Sequence, residues 1–395
     1  MSRNPGLYLH VPFCSAVCPY CDFSVLKAGE AARRRFVERM VAEVPLAAAA
    51  WDEARPFDTV YFGGGTPSQL EPEALGRILE ACRDGLAVAS EAWTFLEANP
   101  EDVTAPACAA WRALGVRTLS LGVQSFADEP LRFLGRRHTG AQARAAVATA
   151  LGAGFDTVSV DLMFGLPGQS REDWEGDLAA VAALDPGHVS CYQLTIHERT
   201  RFGVAKRRGQ LAEMPEAGQA ALFGLTHRFL ADAGFQAYEV SNFARGDEHQ
   251  SRHNRKYWDH TPYLGLGPSA HSFAAGAPAR RWWNELRTPR WEARIAAGER
   301  PVESEERLGP EELATETLML GLRTTEGVDL GSFESRFGVD LLAANEALVG
   351  RLVADGQVEV SETPAGRRLA PTVSGLAVAD GLAAAFVLVP AGRGR

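Results

Sequence analysis

The sequence predicts an α/β fold: a partial (β/α)6 TIM-like barrel followed by a small C-terminal winged-helix-like domain. Three observations carry this. Short β-rich runs recur, each followed by an amphipathic or alanine-rich helical stretch. Polar and glycine-rich motifs fall at the ends of those runs. Near residue 310 the alternation gives way to helices and one β-pair. Strand–helix alternation implies a parallel sheet with helices outside, and parallel barrels gather their chemistry at the strand carboxyl ends.

In chain order the strands are predicted at 7–11, 59–62, 93–97, 118–122, 157–162 and 188–194. The intervening helices are predicted at 33–50, 73–82, 106–114, 141–151 and 171–184. Six units are too few to close an eight-fold ring, so the barrel is expected to stay open. A seventh strand, at 237–240, leads into a polar, aromatic-rich stretch from 241 to 273. Around 297–306 the chain turns charged and loses periodicity, as a linker would. The expected domains are therefore 1–240 for the barrel, 241–305 for an intervening segment and linker, and 306–395 for the small domain. That last domain carries a β-pair at 358–360 and 368–370 and then an apolar helix. Residues 391–395 read as a mobile tail.

The formal net charge of −10 argues against a partner bound through nucleic-acid phosphates, which calls for a basic face. No secretory signal opens the chain, and the longest apolar stretch, 376–389, is broken by Asp380 and Gly381 and too short to span a bilayer. The expectation is a cytoplasmic protein with no membrane span, peripheral contact being compatible with it. Of six cysteines, three crowd into eight positions. Clustered thiols in a reducing compartment point to metal rather than to disulfides.

Those three stand in Cys14-Ser-Ala-Val-Cys18-Pro-Tyr-Cys21. A cubane needs thiolates arranged around one small body, and short spacings in a loop after a strand can wrap it. Three thiolates leave one iron open to chelation by an amino and a carboxylate group. Zinc is the competing occupant, and would need a fourth ligand such as His10. The spacing, with an aromatic before the last cysteine, is similar to the signature of radical S-adenosylmethionine (SAM) proteins, which implies a [4Fe-4S] cluster on Cys14, Cys18 and Cys21. Cys82, Cys108 and Cys191 sit in apolar patterns and read as buried small residues.

Downstream, Gly63-Gly64-Gly65-Thr66-Pro67 follows a strand and precedes a helix, where bare backbone amides can meet a ligand closely. Glu97-Ala-Asn99 ends the third strand, Gly122-Val-Gln124 the fourth, and the fifth carries Asp161. Arg136 could pair a carboxylate. With these motifs assembled, the chain resembles the oxygen-independent coproporphyrinogen III oxidase-like family of radical SAM proteins over about residues 7–273, and more closely its heme-chaperone branch. The resemblance implies SAM binding by Tyr8, Gly64, Gly65, Thr66, Glu97, Gln124, Arg136 and Asp161.

Two departures separate the chain from the oxidases it resembles. They carry a further cysteine two residues after the third cluster ligand, where this sequence has Phe23, and they have a longer arm before the cluster. The segment His253-Asn254-Arg-Lys-Tyr257-Trp258 matches the HNxxYW signature of the chaperone branch, which implies heme binding by His253, Asn254, Tyr257 and Trp258. Neutral imidazole can ligate heme iron, and Tyr and Trp offer flat faces to a porphyrin; a buried turn histidine with core aromatics would give the same pattern. His271 is a second candidate ligand. Arg252, Arg255, Lys256, Arg280 and Arg281 are candidates for porphyrin propionates.

Two functions follow from the resemblance. One is a chaperone that binds heme and a SAM-ligated cluster and delivers heme to an acceptor protein, with dimerisation as an allowed step. The other is a coproporphyrinogen dehydrogenase that uses a 5′-deoxyadenosyl radical for oxidative decarboxylation. The departures and the HNxxYW segment favour the first; the intact SAM motifs leave catalysis open.

Overall fold

A computed structural model describes residues 4–364 and 366–388; the expected tail at 391–395 lies outside them. Six strands, β1 (Gly6–Val11), β2 (Phe57–Gly64), β3 (Val88–Ala98), β4 (Val116–Gln124), β5 (Thr157–Phe164) and β6 (His188–Gln193), lie in chain order, each parallel to the next. Helices Glu30–Ala48, Pro72–Gly85, Ala105–Ala113, Gly140–Gly152 and Arg171–Leu184 connect them on the outside. The period of two decides the layers. On β1, Leu7, Leu9 and Val11 bury against Phe36 and Met40 of the first helix, while Tyr8 turns inward to stack on Tyr61 of β2. Capping boxes at Thr139 and Ser170 start two of the helices.

The sheet runs further than the sequence predicts. Beyond β6 it adds β7 (Gln236–Ala237) and β8 (Asn242–Ala244), with β8 antiparallel to β6. On the other flank β9 (Tyr263–Leu266) lies parallel to β1, and β10 (His271–Ala274), β11 (Ala279–Asn284) and β12 (Val302–Leu308) follow antiparallel. Together they make one sheet of twelve strands.

Two expectations change. The seventh strand, expected at 237–240, ends at Ala237, because Val240 donates its N–H to Arg323 and Thr325 donates to Tyr238, which ties this segment to the C-terminal domain instead. The charged stretch expected as a linker, 297–306, runs into β12, which takes up its second half. Its acidic residues cover the last edge of the sheet, where charges guard against unwanted pairing, and that is why it lacks strand-like apolar alternation.

The small domain is helical with a three-stranded antiparallel sheet, β13 (Val328–Asp329), β14 (Val358–Thr363) and β15 (Gly366–Pro371). It has its own core, in which Leu318, Leu322, Phe333, Leu352 and Leu369 meet. Helix Pro310–Gly321, β13, three short helices, the β14–β15 pair and two closing helices follow in order, a winged-helix-like arrangement as the sequence predicts, with β13 added to the expected β-pair.

Candidate cluster and cofactor site

At the carboxyl ends of the parallel strands lies a cavity of about 580 Å³. Cys14, Cys18, Cys21, Gly64, Gly65, Thr66, Glu97, Gln124, Arg136 and Asp161 all line it. Residues that stand more than a hundred positions apart in the chain thus share one opening.

The cysteine loop leaves β1 and is pinned by backbone bonds from several elements. Gly65 donates to Val11 at 2.8 Å, Thr66 to Phe13 at 2.7 Å, Leu26 to Pro12 at 2.7 Å and Phe202 to Pro19 at 2.9 Å. The glycine run is needed for this approach. A Cβ on Gly65 would stand 2.8 Å from the Phe13 carbonyl oxygen, and Gly64, at φ 108°, would put one 2.5 Å from the His10 ring. Side chains then close the geometry. Thr66 Oγ1 lies 3.4 Å from Cys14 Sγ and accepts from Asn99 Nδ2 at 3.1 Å. Arg136 donates to Asn99 at 2.6 Å and to the Gly122 carbonyl at 2.7 Å, and its other terminal nitrogen stands 3.6 Å from Cys18 Sγ.

The donor set fits a cubane. Three half-buried thiols face one cavity beside a fixed guanidinium, which favours an electron-rich body. Burial pushes the free Cys21 thiol up to about 11, so its deprotonation depends on what it binds. Among the described residues no three His, Cys, Asp or Glu side chains converge tightly enough for a single metal ion. Nor is His10 offered as a fourth zinc ligand: it is buried, with its ring nitrogens 3.1 Å from the Tyr8 hydroxyl and 3.3 Å from the Ser24 carbonyl.

Across the cavity stand two half-buried carboxylates. Glu97 accepts from Tyr61 Oη at 2.8 Å and from the Gly64 amide at 3.2 Å. Burial pushes it up to about 7, against the pull of the Tyr61 bond. Asp161 accepts from Ser120 and is raised to about 6, again by burial first. Carboxylates so placed can take ammonium or hydroxyl donors from a polar ligand. Gln124, at φ 69°, ends β4 in the left-handed region and sits among the lining residues.

Tyr8 is the exception among the residues expected here. It does not line the cavity but lies beneath it, between His10 and Tyr61. Sequence reasoning missed Tyr20, Ser120, Tyr192 and His197, all of which line it. The last two follow from the same rule that found the others, since they lie at or just after the end of β6. His197 also reaches Asp22 of the cysteine loop, at 3.5 Å.

The HNxxYW residues occupy a different place. His253 is 1 % exposed, with Nδ1 2.9 Å from Thr59 Oγ1 and Nε2 2.9 Å from Tyr257 Oη, and its ring lies over Tyr61. It closes the barrel floor, at the end opposite the cysteine loop. Asn254 lines a small interior cavity of about 50 Å³ with Ser120, Asp161 and His188. Tyr257 meets Tyr263 edge-on, and Trp258 lies under Arg323 of the small domain. The four side chains do not share a face, and iron could reach His253 only if the floor opened. His271 is exposed and stacked on Trp283. The basic candidates are all engaged. Arg252 lies over Trp93, Arg255 pairs with Glu326, Lys256 with Asp58, Arg280 with Asp52, and Arg281 with Glu306 and Glu316.

Comparison with known proteins bears on this geometry. Residues 8–181 match the radical SAM superfamily and residues 308–376 the HemN C-terminal domain. A protein of Mycobacterium tuberculosis (strain CDC 1551 / Oshkosh) named heme chaperone HemW is 38% identical over 95% of this chain and 93% of its own length. This chain belongs to the HemW family of radical SAM proteins. The HemW of Escherichia coli (strain K12) is 38% identical over 67% of this chain and 69% of its own. A mouse mitochondrial relative, radical S-adenosyl methionine domain-containing protein 1, is 34% identical over 83% and 75%. Among solved structures, coproporphyrinogen III oxidase (HemN) of Escherichia coli superposes with a TM-score of 0.82 at 21% identity, covering 97% of this chain and 90% of that one, which shows a shared fold. Among the described residues no helix is long and apolar enough to cross a membrane.

Proposed function

We propose that this chain is a cytoplasmic heme chaperone that holds a SAM-ligated [4Fe-4S] cluster at the barrel mouth and delivers heme to an acceptor protein. The observation that carries the cluster assignment is the meeting of Cys14, Cys18 and Cys21 with Gly64, Glu97, Arg136 and Asp161 around one cavity. Bound there, the cluster would supply one open iron for chelation of SAM and an electron for its sulfonium. The chain's own residues do the rest. Gly64 and Gly65 let the backbone close on the ligand. Glu97 and Asp161 are positioned to accept its ammonium or hydroxyl protons. Arg136 offers the one guanidinium in the lining for a carboxylate, and its bonds to Asn99 and Gly122 fix its direction. The relatives' name and the solvent-exposed Phe23, 66 % exposed at the position where the oxidases carry a further cysteine, support cargo transfer over decarboxylation.

Anaerobic reconstitution followed by two assays on one preparation tests this. Hemin titration should give a Soret band, with transfer to an apo-heme acceptor. Incubation with coproporphyrinogen III, SAM and a reductant should leave it intact. Vinyl product over multiple turnovers would overturn the chaperone reading and install the oxidase.

A further inference from the structure

The HNxxYW helix, Asn254–Trp258, lies against the small C-terminal domain, and charged side chains join the two. Arg255 Nη2 meets Glu326 at 2.7 Å. Arg281 forks onto both oxygens of Glu316, at 2.6 and 3.0 Å, and His260 Nε2 stands 3.2 Å from the same carboxylate. Trp258 lies under the Arg323 guanidinium, 5.7 Å from the ring centre, with Nε1 buried and without a hydrogen-bond partner. Leu313 adds an apolar contact with the cluster of Phe273, Ala279 and Leu308. Part-exposed ion pairs hold weakly, and domains joined through polar interfaces of this kind move relative to one another.

On another side the same domain is loosely seated. Between helix Glu216–Asp232 and the segment 373–378 runs a groove of about 850 Å³, lined by Phe223, Gly224, Ala237, Val373 and Val378, and both valines stay exposed. Unfilled volume at a domain junction leaves the domain room to turn. The cores are separate as well, with Leu376 reaching over to that of the barrel. A backbone bridge stands between the ion pairs and the groove: Val240 N–H donates to Arg323 at 3.0 Å, and Thr325 N–H to Tyr238 at 3.2 Å. Ala237, one residue before the bridge, lines the groove, and Glu326, one residue after it, holds Arg255. Turning about this bridge into the groove would lift the carboxylates off the helix.

We propose that the small domain is a lid over a heme seat at helix Asn254–Trp258, and that Arg255 and Arg281 exchange the lid's Glu326 and Glu316 for the two heme propionates when it lifts. The proposal rests on the heme-chaperone reading and deepens it by naming what gates the cargo. Each arginine trades one carboxylate for another, so no cation is left bare. Glu326 falls back on Arg368 of its own domain, 3.7 Å away. Arg281 keeps Glu306 through Nη1, at 2.9 Å, and frees Nη2. Lifting also uncovers Trp258, which offers the porphyrin a flat face and an unpaired indole N–H.

Hemin titration of the cluster-reconstituted protein, read by Soret absorbance, tests it. Glu316→Gln with Glu326→Gln removes the competing carboxylates; hemin should bind about three- to tenfold tighter, and amides 254–258 should exchange hydrogen faster before it is added. A merely destabilising change would not tighten binding. To that variant, hemin dimethyl ester, which has no free propionate, should bind at least about tenfold more weakly than hemin. Gly224→Leu is the wedge: a Cβ there meets Arg228 Nη1, the end of a flexible side chain, at 3.2 Å, so the new side chain fills the groove and holds the lid down. It should weaken hemin binding by at least about threefold, with the SAM-sensitive cluster signal kept. Wild-type hemin affinity in both the glutamine variant and Gly224→Leu would overturn the lid, and so would weaker binding by the glutamine variant. Equal affinity for hemin and its ester would overturn the propionate exchange. All three results leave the chaperone reading standing, whereas failure of the wild-type protein to bind hemin would overturn that reading itself.

Discussion

Glu43 links the first helix to the sheet extension, and its removal should expose how much that link carries. The carboxylate is buried behind β9 and β11 and accepts from the Gly267 amide at 2.8 Å, Asn284 Nδ2 at 2.7 Å and Trp291 Nε1 at 3.0 Å. Glu43→Ala strands three donors, each costing about 1–2 kcal/mol, so a loss of about 3–6 kcal/mol is expected at pH 5. Burial, opposed by those bonds, pushes the group from its ordinary 4.5 up to about 7. A carboxyl raised in the native state binds more protons there than in the unfolded chain, so its contribution is full below pH 4.5 and falls as pH rises through 7. At about 1.4 kcal/mol for each pH step, the wild type loses about 3 kcal/mol from this group by pH 8, and the variant loses none of it. The gap between the two proteins should therefore narrow by about half or more from pH 5 to pH 8. Glu97 and Asp161 titrate in both and cancel. Urea unfolding followed by tryptophan emission reads this, since Trp291 is itself a partner. Parallel pH profiles, or a gap below about 1 kcal/mol at pH 5, would refute the reasoning.

Gly65→Ala should force the cysteine loop outward, because its Cβ meets backbone rather than a flexible side chain; expected are a stability loss of about 1–3 kcal/mol and reduced iron per chain after reconstitution, measured against wild type. Glu97→Gln replaces an acceptor of the Gly64 amide by an amide that can turn a donor toward it. SAM affinity, by equilibrium dialysis, should fall on the order of tenfold with iron content kept, and an unchanged affinity would remove Glu97 from the site. His253→Ala leaves the Thr59 and Tyr257 hydroxyls without their shared partner and opens space in the floor; it should cost about 2–4 kcal/mol in urea unfolding, and a loss below about 1 kcal/mol would deny it the role of a plug.

The strands that carry the site were legible because a parallel strand buried on both faces has few ways to look. Residues 157–162 and 188–194 fall almost wholly within β5 and β6, and Gly64 and Glu97 stand at strand ends with Asp161 inside β5, positions that the family resemblance singled out. The extension at 263–308 was not legible. Its first strand, β9, pairs with β1, some 250 residues earlier, and β10, β11 and β12 are added outward from it, so the register of the whole extension hangs on a distant partner. Charges that protect an edge, as on β12, imitate a linker.

The same distinction between motif and position governs His253. Its side chain has a structural part in the fold, whatever it binds. The imidazole bonds Thr59, whose strand partner in β1 is Gly6, and a Cβ on Gly6 would fall 2.9 Å from the ring. His253 therefore fixes β1 against β2 at the floor. β1 then runs upward through Tyr8 and His10 into the loop that bears Cys14. A thiol must be held within about 0.5 Å to share a cluster with two others, and a loop alone does not achieve that. The bonds from Gly65, Thr66, Leu26 and Phe202 hold the loop from above, and the floor holds the strand that feeds it. Loss of His253 would thus reach the cluster by displacing β1, and a weaker heme signal in such a variant would report the strand before it reported a ligand.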